Sequence, residues 1–426
     1  MKLKLNRYWI SVLTLVVALQ VMVLPAVDAF VISLGEGLPQ DPGVMRSSGA
    51  EVLYAADRDG QEVKLAGTDA PLGDGTPLDL GKPSVGPDGT VVFGAAFRRG
   101  NQVRWEVFAA NPDNHAVSRL PLPISRGEGA LELVTDPTPL AQADGSMVFA
   151  AEEDAHREAV YQLKGGNLTC LLRSGSNLGP GRMLRNLGFG TLAVADGGSV
   201  ALIGYLTASG KAELLISNGG TRVLAAVGQR APDGVRYRDL GPPSVSGSHG
   251  IVFAALTDGG GRVYESEEGK LRVVLRAGSG CRVGKISYIS QDRVGLNSDG
   301  SIAVAGTCSG SPALFLISKS HPTTLMGTTS GPTDSEFVDL AMPRLFDDGS
   351  IMFSASTRTG GDGLYSIRPA SGRANLSGPV LPLLSASTSS VDALHSILVV
   401  SVASNEDGRL AYLGGPVVSF ASVPSK

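Results

Sequence analysis

Short apolar runs alternate with glycine-containing turns along most of the chain, and this pattern returns at a regular interval. The stretches PSVGPDGTVVFGAA, PSVSGSHGIVFAAL and PRLFDDGSIMFSAS begin at Pro83, Pro243 and Pro343 and share one order of apolar and turn positions. Repeats of this length, about 53 residues, are typical of propellers, solenoids and arrays. The glycines that precede the repeated apolar runs are Gly89, Gly145, Gly198, Gly250, Gly300, Gly349 and Gly408.

One unit of the pattern contains four short strands. After Tyr237, the apolar stretches 238–245, 251–256, 262–267 and 271–278 are separated by turns, and no helical period is sustained. Tight turns that contain glycine join antiparallel strands into hairpins. Four antiparallel strands per unit predict the blades of a β-propeller, which is an all-β fold.

The seven visible units predict seven blades. Residues 52–67 match only a third and a fourth strand, so we expect these amino-terminal strands to complete the blade around Gly408 and close the propeller. Eight blades are the alternative, if residues 30–49 also pair. Closure would remove the unpaired sheet edges that otherwise promote aggregation.

The first 29 residues have the pattern of a secretory signal peptide. A basic start is followed by an apolar run over 8–26 and by the small-residue site Val27-Asp28-Ala29. An uncleaved membrane anchor is the alternative. Cleavage would leave 397 residues (426 − 29). We therefore expect one propeller domain over 30–426, periplasmic or extracellular, with no membrane attachment after cleavage.

Composition supports a fold made of turns and short strands. Glycine occupies 56 positions, while aromatic residues make up 5% and charged residues 18% of the chain. The formal net charge of −4 gives no general attraction to nucleic acid. Three cysteines are too few for a disulfide-built fold; Cys281 and Cys308 could pair in an exported protein, and three buried thiols are the alternative.

Two segments carry an N-x-x-G-x-x-A pattern, at 297–303 and 405–411. They resemble an exported bacterial family named for tandem N-x-x-G-x-x-A-F repeats. The leading asparagine is missing from most other units, and the closing phenylalanine is present in only some of them. The hairpins that begin at Pro83 and Pro343 are also similar to blades of TolB-type periplasmic propellers. Both resemblances imply an exported propeller and no particular reaction.

Motifs that carry chemistry are absent from the sequence. The five histidines are isolated, no pair of them or of cysteines has a zinc-binding spacing, and no nucleophile has a linked base in sight. The Asp-Gly pairs are explained by tight turns rather than by calcium loops. We therefore predict no catalytic residue, no cofactor and no metal.

Charge placement suggests one binding face. On a propeller frame, arginines fall in the loops that lead into three successive blades, and a histidine falls in a loop between second and third strands of the same face. Guanidinium groups suit carboxylate or sulfate groups, although solvated loop charge is the alternative reading. The predicted binding residues are Arg182, Arg185, Arg230, Arg236, Arg282 and His156.

These features favour a monomeric, non-enzymatic binding or scaffold module for a protein or an acidic polysaccharide. On this hypothesis the protein is not an enzyme. One alternative is a glycan lyase or hydrolase whose catalytic residues come from several blades, for which Tyr237, Tyr264 and Asp339 are at hand. The other alternative is a structural component of the cell envelope.

Overall fold

A computed structural model describes most of the chain after residue 50. The described residues are 51–56, 62–86, 88–122, 131, 133, 135–153, 157–195, 198–206, 212–217, 220–246, 250–267, 269–281, 284–318, 337–358, 361–367, 380–385, 397–404 and 410–416. All belong to the compact unit Ser48–Lys426, whereas the predicted signal peptide falls in the unit Met1–Ser47 and lies outside the described residues. The described residues form no helix, and so none that could cross a membrane.

The strands form antiparallel sheets, which we number 1 to 7 along the chain. The first two strands are β1 (Val52–Ala56) and β2 (Glu62–Gly67). Sheet 1 contains β3 (Asp79–Leu80), β4 (Ser84–Val85), β5 (Val91–Arg99), β6 (Gln102–Asn111) and β7 (Ala116–Arg119). Sheet 2 contains β8 (Leu140–Ala141), β9 (Met147–Glu153), β10 (Arg157–Lys164) and β11 (Asn167–Arg173).

The middle sheets follow in chain order. Sheet 3 contains β12 (Leu184–Val194), β13 (Val200–Leu206), β14 (Ala212–Ser217) and β15 (Thr221–Ala226). Sheet 4 contains β16 (Tyr237–Leu240), β17 (Ser244–Ser246), β18 (Gly250–Thr257), β19 (Gly260–Glu267) and β20 (Lys270–Arg276). Sheet 5 contains β21 (Gly280–Cys281), β22 (Gly284–Ile289), β23 (Gly295–Leu296), β24 (Ile302–Cys308) and β25 (Ser311–Ile317).

The last two sheets differ in where their strands come from. Sheet 6 contains β26 (Phe337–Leu345), β27 (Ile351–Thr357), β28 (Gly361–Ile367) and β29 (Val380–Ser385). Sheet 7 combines β30 (Ile397–Ser404) and β31 (Leu410–Pro416) with the two amino-terminal strands, in the order β2-β1-β31-β30. Tyr54 of β1 lies opposite Tyr412 of β31. The predicted all-β fold of antiparallel, mostly four-stranded sheets is confirmed.

Consecutive sheets pack face to face, because their second and third strands are apolar on both sides. Phe93 of sheet 1, Phe149 of sheet 2, Phe253 of sheet 4 and Phe353 of sheet 6 are completely buried. Separate apolar clusters join sheet 7 to 1, 1 to 2, 2 to 3, 3 to 4, 4 to 5 and 5 to 6. Burial of each phenylalanine contributes roughly 1.5–3 kcal/mol, so these contacts hold the sheets in sequence order.

The repeated Asp-Gly pairs form the turn between the first and second strands. Gly89, Gly145, Gly300 and Gly349 all have a positive φ between 74° and 82°. In each turn the preceding aspartate accepts a hydrogen bond from the backbone N–H two residues further on. Glycine adopts this conformation without steric cost, and aspartate stabilises the turn locally. The pattern therefore specifies the hairpin between the first two strands.

Candidate functional site

In four sheets, the pairing of the first strand with the second strand skips one residue near the beginning of the first strand. A β-bulge of this kind turns a side chain out of the ladder, and bulges are common beside active sites. The skipped residues are Arg185, Arg238, Ser287 and Val338. The residues that follow resume pairing at one register position, and we name them the rim: Asn186, Asp239, Tyr288 and Asp339.

Further along the first strands, three cations lie close to the first turn. Lys82 and Arg293 each stand seven residues before the turn glycine of their sheet, and Arg344 stands five residues before its own. Lys82 and Arg344 are exposed, and Arg293 is half-buried. We name Lys82, Arg293 and Arg344 the cationic cluster.

Two of these cations reach the same short stretch of β12 from different sheets. Arg293 of sheet 5 donates from Nη2 to the carbonyl oxygen of Leu192, at 2.9 Å. A Cβ atom placed on Gly190 would lie 3.7 Å from Lys82 Nζ of sheet 1. Sheets 1, 3 and 5 are not consecutive, so these side chains bring together sheets that are distant along the chain.

The guanidinium groups of Arg293 and Arg344 influence each other. The surrounding protein lowers the pKa of Arg293 to about 10, first by desolvation and then through the positive charge of Arg344. Desolvation also lowers the pKa of Arg344. Both groups remain charged at neutral pH, so the fold holds two like charges near each other.

Counter-charges for the cluster are scarce in the part of the chain that the structure describes. There, no carboxylate oxygen lies within 4.0 Å of a side-chain nitrogen of Lys82, Arg293 or Arg344. Charges removed from water are costly unless they are paired. The guanidinium groups of Arg293 and Arg344, which have no carboxylate that close among the described residues, are therefore suited to bind an anionic group.

Asp136 lies beside the cluster, between sheets 1 and 2. Its Oδ2 accepts a hydrogen bond from the backbone N–H of Lys82 at 3.0 Å, and its Oδ1 accepts one from Thr138 N–H at 2.9 Å. Burial raises the pKa of Asp136, whereas these hydrogen bonds and the charge of Lys82 oppose the rise. A Cβ atom on Gly81 would approach Oδ1 too closely, at 2.3 Å, so glycine makes room for this carboxylate.

Backbone strain occurs at the same register position as two of the cations. Thr138 and Met342 have positive φ values of 42° and 48°, and both stand seven residues before their turn glycine, as Lys82 and Arg293 do. Residues other than glycine rarely adopt this conformation, and strained residues concentrate at functional sites. The arrangement can bind an anion and can accept or donate a proton through Asp136.

The structure describes four of the six residues that the sequence analysis predicted for binding. Arg182 donates from Nη2 to Oε1 of the buried Glu213 at 2.6 Å. Arg230 and Arg236 lie opposite each other in an isolated β-bridge, and Arg236 donates to the carbonyl oxygen of Gly228 in its own loop. Arg185 is exposed at a bulge, as described above. Arg282 and His156 lie outside the described residues, and ligand binding by this set stays a prediction.

The tyrosines considered as candidate acids or bases do meet, but inside sheet 4. The rings of Tyr237 and Tyr264 are 5.1 Å apart, and both side chains are buried. Tyr264 donates its hydroxyl to Asp233 Oδ1, and Asp233 Oδ2 pairs with Arg262 Nε at 2.7 Å. Burial raises the pKa of both tyrosines, and the contacts of Tyr264 and Arg262 with Asp233 hold its loop against the sheet. Asp339 lies apart from them, in sheet 6.

A disulfide joins Cys281 of β21 to Cys308 at the end of β24. Their Cα atoms are 6.2 Å apart, and Cys170 is an exposed thiol in β11. The bridge ties the loop that enters sheet 5 to the turn after β24. It supports the beginning of the strand that carries Tyr288.

Sequence reasoning missed the cationic cluster and Asp136. Two of these residues share a signal, a positive charge seven positions before the turn glycine, whereas Arg344 stands five and Asp136 nine positions before theirs. Reading the repeat column by column brings out Lys82 and Arg293, because both stand seven residues before that glycine.

Comparisons with known proteins find similarity in structure alone. No protein-family model matches the chain, so none supports the tandem-repeat resemblance, and no curated protein matches its sequence. The solved structures that it matches include β-propeller-like peptidases and a lyase. A prolyl endopeptidase matches at 14% identity over 85% of this chain and 50% of its own, with a TM-score of 0.48. Dipeptidyl peptidase 4 of Porphyromonas gingivalis matches at 11% identity over 75% and 48%, with a TM-score of 0.42.

An oligogalacturonate lyase, solved in complex with manganese, matches at 11% identity over 88% of this chain and 99% of its own, with a TM-score of 0.49. In contrast, the chain spans only about half the length of the two peptidases named above. All three proteins are enzymes, and this finding overturns our prediction of a non-enzymatic binding or scaffold module. At these identities the similarity concerns the fold, and no activity is carried over from it.

Proposed function

We propose that the protein is a lyase that cleaves a carboxylate-bearing polysaccharide at the cationic cluster. The observation that carries this proposal is the approach of Lys82 and Arg293 to one stretch of β12, with Arg344 near Arg293 and the half-buried carboxyl group of Asp136 beside Lys82. Cations that neutralise a sugar carboxylate make the neighbouring C–H bond more acidic, because they stabilise the charge that develops when its proton leaves. A base beside those cations is what such an elimination requires.

Each residue has a definite role in the proposed reaction. Arg293 and Arg344 bind the carboxylate of the reacting sugar, since guanidinium groups match carboxylates in shape and charge. Asp136 removes the proton from the carbon next to that carboxylate, and a raised pKa makes it a stronger base than an ordinary aspartate. The electron pair of the C–H bond forms a C=C bond, and the C–O bond to the departing sugar breaks.

No proton is gained or lost by the site over one complete reaction. The ammonium group of Lys82 donates a proton to the departing glycosidic oxygen. Asp136 then holds one proton more than before and Lys82 one fewer, and transfer between these neighbours restores the starting state. The reaction needs no oxidant, reductant or water, and its products are one saturated and one unsaturated sugar end.

We further propose that the seven sheets are the blades of one propeller, closed by β1 and β2. The pairing of β1 with β31 and the apolar cluster between sheets 7 and 1 support this arrangement. It would place the first strands, and with them the cationic cluster, around a central channel. The amino-terminal pattern of residues 1–29 supports export, which would bring the enzyme to polysaccharides outside the cytoplasm.

The activity test uses polymers with and without carboxylate groups. The mature protein, residues 30–426, is incubated with polygalacturonate, alginate, hyaluronan and neutral controls such as dextran. Ultraviolet absorbance follows unsaturated uronate ends, and a reducing-end assay counts all cleavage. We expect unsaturated products from at least one acidic polymer and none from neutral ones. New reducing ends without unsaturated products would contradict the proposed lyase and indicate a hydrolase.

Variants connect the activity to the cluster. Arg293→Gln and Arg344→Gln should each lower kcat/KM by about tenfold to a hundredfold, because each removes one charged hydrogen-bond donor worth roughly 1.5–3 kcal/mol. Arg222→Gln is the matched control, since Arg222 is exposed on β15, away from the first strands. Equal rates for all three variants would overturn the proposed site. Cleavage of fluorogenic peptides with no glycan cleaved would overturn the substrate class.

A further inference from the structure

Exposed apolar side chains lie at the rim end of the first strands. Tyr288 is 51% exposed in β22, and Val338 is 49% exposed at the bulge of β26. Tyr205 and Leu256 of the second strands are 41% and 40% exposed. Tyr205 pairs with Asn186 and Leu256 pairs with Asp239, so both belong to the rim register. Sheets 3, 4, 5 and 6 thus each present one large apolar side chain at the same level.

Carboxylates stand among these apolar groups. Asp239 lies opposite Leu256, and Asp339 follows Val338; both aspartates are exposed. Asp239 Oδ1 accepts the backbone N–H of Leu240 at 2.9 Å, and Asp339 Oδ1 accepts that of Leu340 at the same distance. Both carboxylates therefore take the same orientation at the same bulge. The rim thus offers apolar side chains and two carboxylates, and the exposed Arg185 and Arg238 occupy the skipped positions of the bulges in sheets 3 and 4.

The two zones lie along one path. Tyr288 and Arg293 are five residues apart in the first strand of sheet 5. An extended strand covers at most about 17 Å over five residues, so the zones are separated by a few sugar rings at most. Met342, which is 56% exposed, lies two residues before Arg344 on the corresponding path in sheet 6. A chain bound at the cluster would therefore continue over the rim.

We propose that the rim binds an uncharged sugar residue next to the reacting uronate, so that the substrate alternates charged and neutral sugars. This inference rests on the proposed function, because the cluster must hold the uronate. Exposed tyrosine and leucine side chains offer flat apolar surfaces to sugar rings, and carboxylates accept hydrogen bonds from sugar hydroxyls. A uronate over Asp239 or Asp339 would instead meet a like charge.

The experiment compares two oligosaccharides of equal length. Hyaluronan fragments alternate glucuronate with N-acetylglucosamine, and oligogalacturonate carries a carboxylate on every ring. Calorimetry measures binding to the mature protein, and the cleavage assays measure kcat/KM. We expect hyaluronan fragments to bind about fivefold more tightly at low salt, since removal of one exposed like-charge contact of about 1 kcal/mol corresponds to that factor. Equal or reversed affinity would overturn the inference.

Rim variants identify the cause of the preference. Asp239→Asn combined with Asp339→Asn should improve oligogalacturonate binding relative to hyaluronan binding by about fivefold, because the like charges are removed. Tyr288→Ala should weaken binding of long hyaluronan fragments about tenfold, and Tyr288→Phe should restore it, because the ring surface is retained. If Tyr288→Ala binds as the wild type does, the rim is not a sugar site.

The outcomes separate the two proposals. Binding preference and rim effects without any cleavage would leave the rim inference standing and overturn the lyase. Cleavage of acidic polymers with no preference for alternating chains would support the lyase and overturn the rim inference. Arg344→Gln distinguishes the zones, since it should weaken binding of both oligosaccharides.

Discussion

At the residue scale, Arg293 and Arg344 are the most informative side chains of the molecule. Each has a pKa lowered by desolvation, and the charge of Arg344 lowers that of Arg293 further. Two like charges held together lower the stability of the folded protein when no anion is bound. Such a cost is common where a site is built for binding rather than for stability.

Replacement of Arg344 by glutamine should therefore stabilise the protein without substrate. We expect a gain of about 0.5 kcal/mol at low salt, because Arg344 is exposed and solvent screens most of the repulsion. Thermal unfolding measures the gain, which should shrink as salt is added. Acidic polymer should raise the Tm of the wild type more than that of the variant. A less stable Arg344→Gln protein would contradict the description of the cluster.

Asp136 gives the site its expected pH dependence. Burial raises its pKa above the ordinary value of 3.8, and the base must be ionised to remove a proton. The acid limb of kcat/KM should therefore fall at a pH above 3.8. An acid limb at or below that value would exclude Asp136 as the base. The raised pKa also means that its contribution to stability is lost as pH rises through the folded-state pKa.

At the scale of elements, the bulged first strands carry the rim, and the disulfide supports one of them. The bridge between Cys281 and Cys308 closes a chain separation of 27 residues within sheet 5. A cross-link of this length restricts the unfolded chain, which stabilises the folded state. Sheet 5 also supplies Tyr288 and Arg293, so its stability bears on both zones of the site.

Loss of the bridge should destabilise the protein measurably. Cys281→Ser is expected to lower the free energy of unfolding by about 3.5 kcal/mol on the loop-closure relation. Urea unfolding measures the change, and a reducing agent should lower the stability of the wild type to that of the variant. Cys170→Ser is the control, because Cys170 is exposed and takes no part in the bridge. Insensitivity of the wild type to reductant would contradict this expectation.

At the scale of the whole molecule, the sheets pack in sequence order, and sheet 7 takes strands from both ends of the described chain. This makes β1 and β2 necessary for β31, whose edge would otherwise be unpaired. A variant without residues 1–67 should therefore aggregate or dimerise through that edge. Size-exclusion chromatography and light scattering would detect it. A variant without residues 1–47 is the control, since it keeps both strands; equal behaviour of the two would contradict the role given to β1.

The fold was largely predictable because its signals are local. The turn glycines Gly89, Gly145, Gly300 and Gly349 take the positive φ that their Asp-Gly pairs predict, and the apolar runs after them form buried strands. The site was much less predictable. Tyr237 and Tyr264, named as candidate catalytic residues of the enzyme alternative, are buried in sheet 4, and Arg182 pairs with the buried Glu213. Burial of one side chain depends on the neighbouring sheet, which the local pattern does not contain.

The sequence by itself determined the strands, their turns and the order in which hairpins follow one another, because hydrogen bonding and φ preferences act between near neighbours. Only the tertiary structure decided that Lys82 and Arg293 reach the same stretch of β12, and that Asp136 accepts the backbone N–H of Lys82. These contacts join sheets that are distant along the chain, and they arise from packing many hydrophobic faces at once. No local pattern encodes that geometry.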